Sequence, residues 1–208
     1  MSLFDDFFIV GVEAEFITKL FLETSTGLVQ DQLGVKECLD IYWTDPETDT
    51  GDLKMDIVIC EEDNCLLSQR VEVKSAYKPE YLDTFYAEIV SVGSNGYAHY
   101  LIDKPEWITY VDMNEKKLYF YDGKEFCHRV KNRQHSAITN KFGTATGIKF
   151  GCTDLDFGYR FQADIRQQFH YVRTKCYEQV QERAEAILKA TDKNKIPIHR
   201  KCEGFPDL

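Results

Sequence analysis

In GVEAEFITKLFLE, residues 11–23, the apolar side chains Phe16, Ile17, Leu20 and Phe21 recur at helical spacing, leaving Lys19 and Glu23 for solvent. A first helix is predicted there. CLDIYW at 38–43 reads as a strand and TDPETDTGD at 44–52 as a turn-rich loop. KMDIVIC at 54–60 and SQRVEVKS at 68–75 alternate apolar with polar positions, and EEDNC between them serves as a hairpin connection. The two strands are expected to pair antiparallel. In the second, Val71 and Val73 face one side and Glu72 and Lys74 the other, because side-chain direction repeats every two residues.

TFYAEIV at 84–90 fits either a strand or one and a half turns of helix, the strand being preferred, and EWITYVD at 106–112 and KLYFYDG at 117–123 read as an aromatic-rich meander that reverses again at DGK toward EFCHRV. The Gly, Thr, Asn and Lys content of 131–158 predicts a long loop. From about Tyr159 to Ala190 the chain lacks Gly and Pro and ends in QVQERAEAILKA, which predicts one long C-terminal helix before an irregular tail, KNKIPIHRKCEGFPDL. With no fixed-period repeat and no evident linker, the 208 residues are expected to form a single α/β (α+β) domain, a mixed central sheet with flanking helices.

The net charge of −10 excludes a uniformly basic nucleic-acid-binding coat, but its distribution is uneven. Residues 1–63 hold sixteen Asp/Glu against three Lys/Arg, whereas 124–149 hold six Lys/Arg against Glu125 alone. A local basic surface is therefore compatible with an acidic chain. Seven Cys without a CxxC pair, and a start, MSLFDDFFIVGVE, without a positive n-region, point to a reducing cytoplasm. No apolar run approaches the ~18–20 residues that span a bilayer, so no membrane partner is expected.

The informative spacing is Asp56 followed sixteen positions later by Glu72-Val73-Lys74. An Asp on one strand and an ExK triplet on the next bring two carboxylates and an ammonium to one sheet edge. Hard cations such as Mg²⁺ or Mn²⁺ take oxygen ligands, retain waters and need one or two carboxylates plus substrate phosphate oxygens. Asp56 and Glu72 meet that need, and the Val73 carbonyl adds an oxygen. A bound metal lowers the pKa of water and neutralises phosphate charge, while Lys74 positions the water or stabilises charge developing on phosphorus. Asp52 and Lys54 share strand parity with Asp56 and would substitute in a shifted register; Asp56 is preferred because MDIVI enters an apolar strand.

With AEFITKLF, MDIVI and VEVKS in this order, the chain resembles the PD-(D/E)XK nuclease superfamily over roughly residues 11–121. The resemblance implies a restriction-endonuclease-like core with an α-β-β-β-α-β order, the basic loop and helical extension of 124–208 lying outside it. It also implies an acidic residue on the first helix beside the metal, for which Glu15 is the best match and Glu13 the neighbour. VEVKSAYKPEYLDTFYAEIVS with EWITYVDMNEKKLYFYDG is similar to a small phage-type endonuclease branch, in which Glu88 matches an acidic residue contacting metal or substrate. Met55 stands where the superfamily places a proline.

The function expected is Mg²⁺- or Mn²⁺-dependent hydrolysis of phosphodiesters, in DNA more than RNA, in a host cytoplasm if the chain is phage-encoded, with a homodimer left open. Lys124, Arg129, Lys131, Arg133, Lys141 and Lys149 are the candidate phosphate contacts. An inactive nuclease-like module binding nucleic acid or protein, or a viral interaction protein, are the alternatives. An ExK triplet alone is an ordinary surface pair, and its weight comes from Asp56 and Glu15. Cys127, His128, His135 and Cys152 fit no zinc spacing, GTATG at 143–147 lacks the GK[ST] ending of a phosphate loop, and Tyr119, Phe120 and Tyr121 read as packing residues rather than base-stacking ones.

Overall fold

The computed structural model describes residues 3–44, 52–58, 66–76, 83–91, 98–133, 137–139 and 145–193. The chain runs α1 (Leu3–Thr24), α2 (Thr26–Leu33), β1 (Glu37–Trp43), β2 (Leu53–Val58), β3 (Leu66–Ala76), β4 (Thr84–Ser91), α3 (His99–Asp103), β5 (Trp107–Asp112) and β6 (Lys117–Asp122). It continues through α4 (Gly123–Asn132), β7 (Ile138–Thr139), β8 (Ala145–Gly151), a 3-10 turn (Leu155–Phe157), β9 (Tyr159–Asp164), α5 (Arg166–Lys175) and α6 (Tyr177–Lys193).

Six strands form a mixed sheet in the order β1-β2-β3-β5-β6-β9, antiparallel throughout except for the parallel pair β3 and β5. A parallel pair needs a crossover, and β4 and α3 occupy it. The strand expected at 84–90 is thus present but leaves the main sheet, pairing with β8 in a separate three-stranded sheet, β4-β8-β7.

Strand alternation divides the interior into two cores. Val71, Val73, Val111, Leu118 and Phe120 pack with Ile17, Phe21 and Leu22 of α1 and with Phe169 and Val180 of the C-terminal helices. Ile108, Tyr110, Tyr119 and Tyr121 point the other way, onto Phe85 and Ala87 of β4, Phe150 of β8 and Phe126 of α4. Covered on both faces, β5 and β6 are buried almost end to end, and Tyr119, Phe120 and Tyr121 are packing residues, as their pattern predicts. Phe120 is fully buried, with its ring 5.1 Å from Phe161 and 5.4 Å from Trp107. Phe120→Ala is expected to cost about 3–5 kcal/mol in urea denaturation.

Three sequence expectations are corrected. DGK does not turn into a strand: Asp122 caps α4 by accepting a hydrogen bond from the Glu125 amide at 3.0 Å, the geometry that an acidic residue three positions before Glu promotes. Gly123 suits this start because a Cβ there would meet the Pro105 carbonyl oxygen at 1.9 Å. The loop expected over 131–158 contains β7, β8 and the 3-10 turn, since β8 completes the sheet that covers the aromatic face. The single long helix from Tyr159 is instead β9, α5 and α6. Phe161 stacks on Phe120, and the chain turns at Asp164, whose Oδ1 accepts from the Arg166 amide at 3.0 Å. The EEDNC connection, most of the 44–52 loop and the tail from Asn194 lie outside the described residues. Among the described residues no helix is long and apolar enough to cross a membrane.

Candidate active site

Register decides which acids meet. In the β2–β3 ladder Leu53 lies opposite Val71 and Asp56 opposite Ser68. Asp56 is therefore displaced four residues along the hairpin from Glu72, about 13 Å at the rise of a strand. The expectation that Asp56 joins Glu72 is corrected. Asp52, one residue ahead of Leu53, sits beside Glu72, and its Oδ2 accepts a 2.6 Å hydrogen bond from the Val73 amide. Lys54, the other residue of the shifted register, lies opposite Arg70. Asp52 is held further by its own backbone, its amide donating to the Val71 carbonyl at 3.2 Å and its carbonyl accepting from the Thr44 amide at 3.3 Å and hydroxyl at 3.2 Å.

The ExK triplet behaves as its alternation predicts. Val73 enters the helix-side core, while Glu72, only 8% exposed, and Lys74 form an ion pair on the opposite face of β3. The Lys74 ammonium also lies 5.4 Å from the centre of the Tyr100 ring. Thr109, fully buried on β5, donates to the Glu72 carbonyl at 3.4 Å.

Glu15 comes from α1 and is 8% exposed, accepting a 3.1 Å hydrogen bond at Oε2 from Arg183 Nε of α6. Glu13, the neighbouring alternative, is directed elsewhere, into a two-point ion pair with Arg173 of α5. Glu88 stands on β4 opposite Gly147, and its charge reaches Lys74 and Tyr110. The Tyr100 hydroxyl donates to the Glu88 backbone carbonyl, which ties α3 to this strand.

The acids are crowded. Burial pushes the Glu15 carboxyl up to about 7, with Glu72 adding to the rise, even though Arg183 and Lys74 pull it down. Burial, then the charges of Glu72 and Glu15, raise Asp52 well above the usual carboxylate range against the pull of Lys74 and the Val73 amide. Burial alone would lower Lys74. The surrounding Glu72, Asp52 and Glu88 outweigh it and raise its pKa, so it is an ammonium at any working pH. The arrangement is an oxygen-rich, electron-rich pocket in which protons and cations compete for the same carboxylates. Among the described residues no three His, Cys, Asp or Glu side chains stand at metal-ligand spacing; Glu15 is engaged by Arg183, Glu72 by Lys74 and Asp52 by the Val73 amide.

The candidate phosphate contacts separate. Arg129 pairs with Asp156, and Arg133 lies 4.0 Å from the same carboxylate and 5.4 Å from the Phe157 ring, so both tie α4 to the 3-10 turn. Lys124 on α4 and Lys149 on β8 are exposed, Lys131 is half-buried, and Lys141 lies outside the described residues. Cys127 and Cys152 are buried, and burial pushes the Cys127 thiol up to about 12. Arg183 is the site residue that sequence spacing does not find, since 168 positions separate it from Glu15.

Comparison with protein families, with curated proteins and with solved structures returns no match.

Proposed function

We propose that this protein is a divalent-cation-dependent nuclease that hydrolyses DNA phosphodiesters, with Asp52, Glu72 and Lys74 at the centre, Glu15 beside them and Glu88 at the margin. The observation that carries this reading is the convergence of α1, the start of β2 and the middle of β3 on one crowded acidic cluster with an internal ammonium. With α2 and β4 as additions, α1, β1–β3 and the crossover through α3 to parallel β5 run in the α-β-β-β-α-β order that the resemblance to PD-(D/E)XK nucleases implies, which supports the reading. Asp52, Glu72 and Glu15 offer the hard oxygen donors that a divalent cation takes, though they do not stand at metal-ligand spacing here, and such an ion would relieve the repulsion among them. Asp52 and Glu72 would hold Mg²⁺ or Mn²⁺, with Glu15 and the Val73 carbonyl beside it, and the ion supplies phosphate charge neutralisation and acidified water. Lys74, kept protonated, stabilises the negative charge that builds on the phosphoryl group.

Cleavage of plasmid, linear and branched DNA in Mg²⁺ against EDTA tests the reading. Metal-independent nucleic-acid binding without turnover, unaffected at Asp52, identifies an inactive scaffold instead.

The pH dependence has a definite sign. Glu15 must lose its proton to engage a cation, so at subsaturating Mg²⁺ activity rises with pH through about 7, and added Mg²⁺ moves this limb to lower pH. Without metal the trend in stability is opposite. Unfolded Glu15 ionises near 4.5 and folded Glu15 near 7, so the folded state binds more protons in that window and stability falls as pH rises across it. Thermal melts in EDTA across this window read the second trend, and initial rates at several Mg²⁺ concentrations read the first.

A further inference from the structure

A cleft of about 300 Å³ opens between α1 and the C-terminal helices, walled by Phe16, Lys19, Trp43, Tyr171, Cys176 and Gln179. Trp43 ends β1, one residue before Thr44, whose amide and hydroxyl hold the Asp52 carbonyl, so this wall adjoins the acidic cluster. Two cations lie over the Trp43 ring: Arg183 at 4.1 Å and Lys19 at 5.9 Å from its centre. Arg183 is locked in place, stacked on Trp43, bonded through Nε to Glu15, and with only 16% of its side chain exposed. Its two terminal nitrogens have no hydrogen-bond partner among the described residues. Among the described residues Lys19 pairs with Glu23 alone, an exposed partner on the same helix.

A flat guanidinium fixed on an indole, with its outer edge unspent, is built to grip a phosphate through two parallel hydrogen bonds. We propose that the Trp43 face at the edge of this cleft binds the DNA strand next to the cut, with Arg183, which lies over Trp43 without lining the cleft, holding one backbone phosphate, Lys19 in the cleft wall holding the next, and Trp43 and Tyr171 bordering the nucleotide between them. This rests on the nuclease reading for its location and supplies the phosphate contacts that Arg129 and Arg133, committed to Asp156, do not. Arg183 then has two tasks in one position, orienting Glu15 through Nε and binding substrate through its terminal nitrogens.

The experiment is a fluorescence anisotropy titration of labelled oligothymidylate in EDTA, where binding is read without cleavage, together with Trp43 emission in a Trp107→Phe background. Arg183→Ala is expected to raise Kd about tenfold, Arg183→Lys less, and Lys19→Ala a few-fold, each removed contact flattening the log Kd against log salt slope by about 0.7. Oligothymidylate is expected to quench Trp43. Glu15→Gln, whose side-chain oxygen still accepts from Arg183 Nε, is expected to weaken binding far less than Arg183→Ala, so that the Arg183→Ala effect is direct. Unchanged Kd in both Arg183→Ala and Lys19→Ala, binding without Trp43 quenching, or equal losses in Glu15→Gln and Arg183→Ala overturns the proposal. Lys19 is half-buried and stands outside the acidic cluster, so its variant remains informative if Arg183→Ala misfolds. Loss of the nuclease reading is separate: wild type that binds through Arg183 and Lys19 yet cleaves nothing in Mg²⁺ retains the subsite and loses the activity. Asp52-dependent cleavage with binding indifferent to both cations does the reverse.

Discussion

On the proposed nuclease function, Asp52→Asn is expected to lower Mg²⁺-dependent DNA cleavage about a thousandfold, and Asp56→Ala to stay within a few-fold of wild type. Asp52 sits beside Glu72 with its carboxylate anchored by the Val73 amide, whereas Asp56 lies opposite Ser68, four residues away along the hairpin. Losing one of the two principal metal carboxylates removes several kcal/mol of transition-state stabilisation, about a thousandfold in rate. The same substitution is expected to stabilise the metal-free fold by about 0.5–2 kcal/mol at neutral pH, as substitutions that relax a strained functional site commonly do. Its origin is specific: folded Asp52 ionises well above its unfolded value, so its charge is a burden that rises with pH, and Asn keeps the bond from the Val73 amide without that charge. Rates on supercoiled plasmid and urea melts in EDTA measure the two effects. A variant that loses activity because it unfolds, or Asp56→Ala with the larger loss, removes Asp52 from the centre.

Lys74→Met is expected to lower the rate of the proposed reaction about 10²–10³-fold at saturating Mg²⁺, the range for removing a positioned group that stabilises developing charge. Lys74 is ion-paired to Glu72 and lies within the fields of Asp52 and Glu88, so its loss also leaves carboxylates uncompensated. About a third of the side chain, 35%, is exposed, and solvent screening limits the stability cost to about 1 kcal/mol or less. Because these carboxylates hold Lys74 protonated, the rate–pH profile is expected to show no limb from its deprotonation between about 8 and 10. Single-turnover rates across that range, wild type against Lys74→Met, check this. A limb present only in wild type assigns Lys74 as a base instead.

Part of the site is legible in the linear chain because strand parity is a local rule. VEVKS places Glu72 and Lys74 together whatever the rest of the protein does, and the helical stripe of 11–23 puts Glu15 on a different side of α1 from Glu13. The partner carboxylate is a different kind of question. Residues of the β2–β3 hairpin pair by mirror symmetry about residue 62, which puts Asp52 next to Glu72, whereas placing Asp56 there requires the mirror at 64. A one-residue displacement of the turn centre moves the partner by two, so two acids four apart are separated only by register.

Element type followed the same division. The strands at 38–43, 54–58, 68–75, 106–112 and 117–122 alternate strongly enough to be read directly. In 159–190 the absence of Gly and Pro permits a helix, but Phe161 is recruited by Phe120 across the sheet, and pairing with β6 outweighs local propensity. The Asp122 cap at α4 was present in the residues DGKE and competed with a turn reading of DG.

Alternation and helical periodicity, which act between near neighbours, are enough to specify β1–β3, β5 and β6, the first helix and the ExK face. Everything that closes over that face depends on contacts far apart in the chain: Asp52 rather than Asp56 through hairpin register, β4 leaving the main sheet for β8, and Arg183 reaching Glu15 across 168 residues. No local pattern encodes such contacts, because the free energy that selects them is burial and charge compensation realised only when the distant pieces are already packed together.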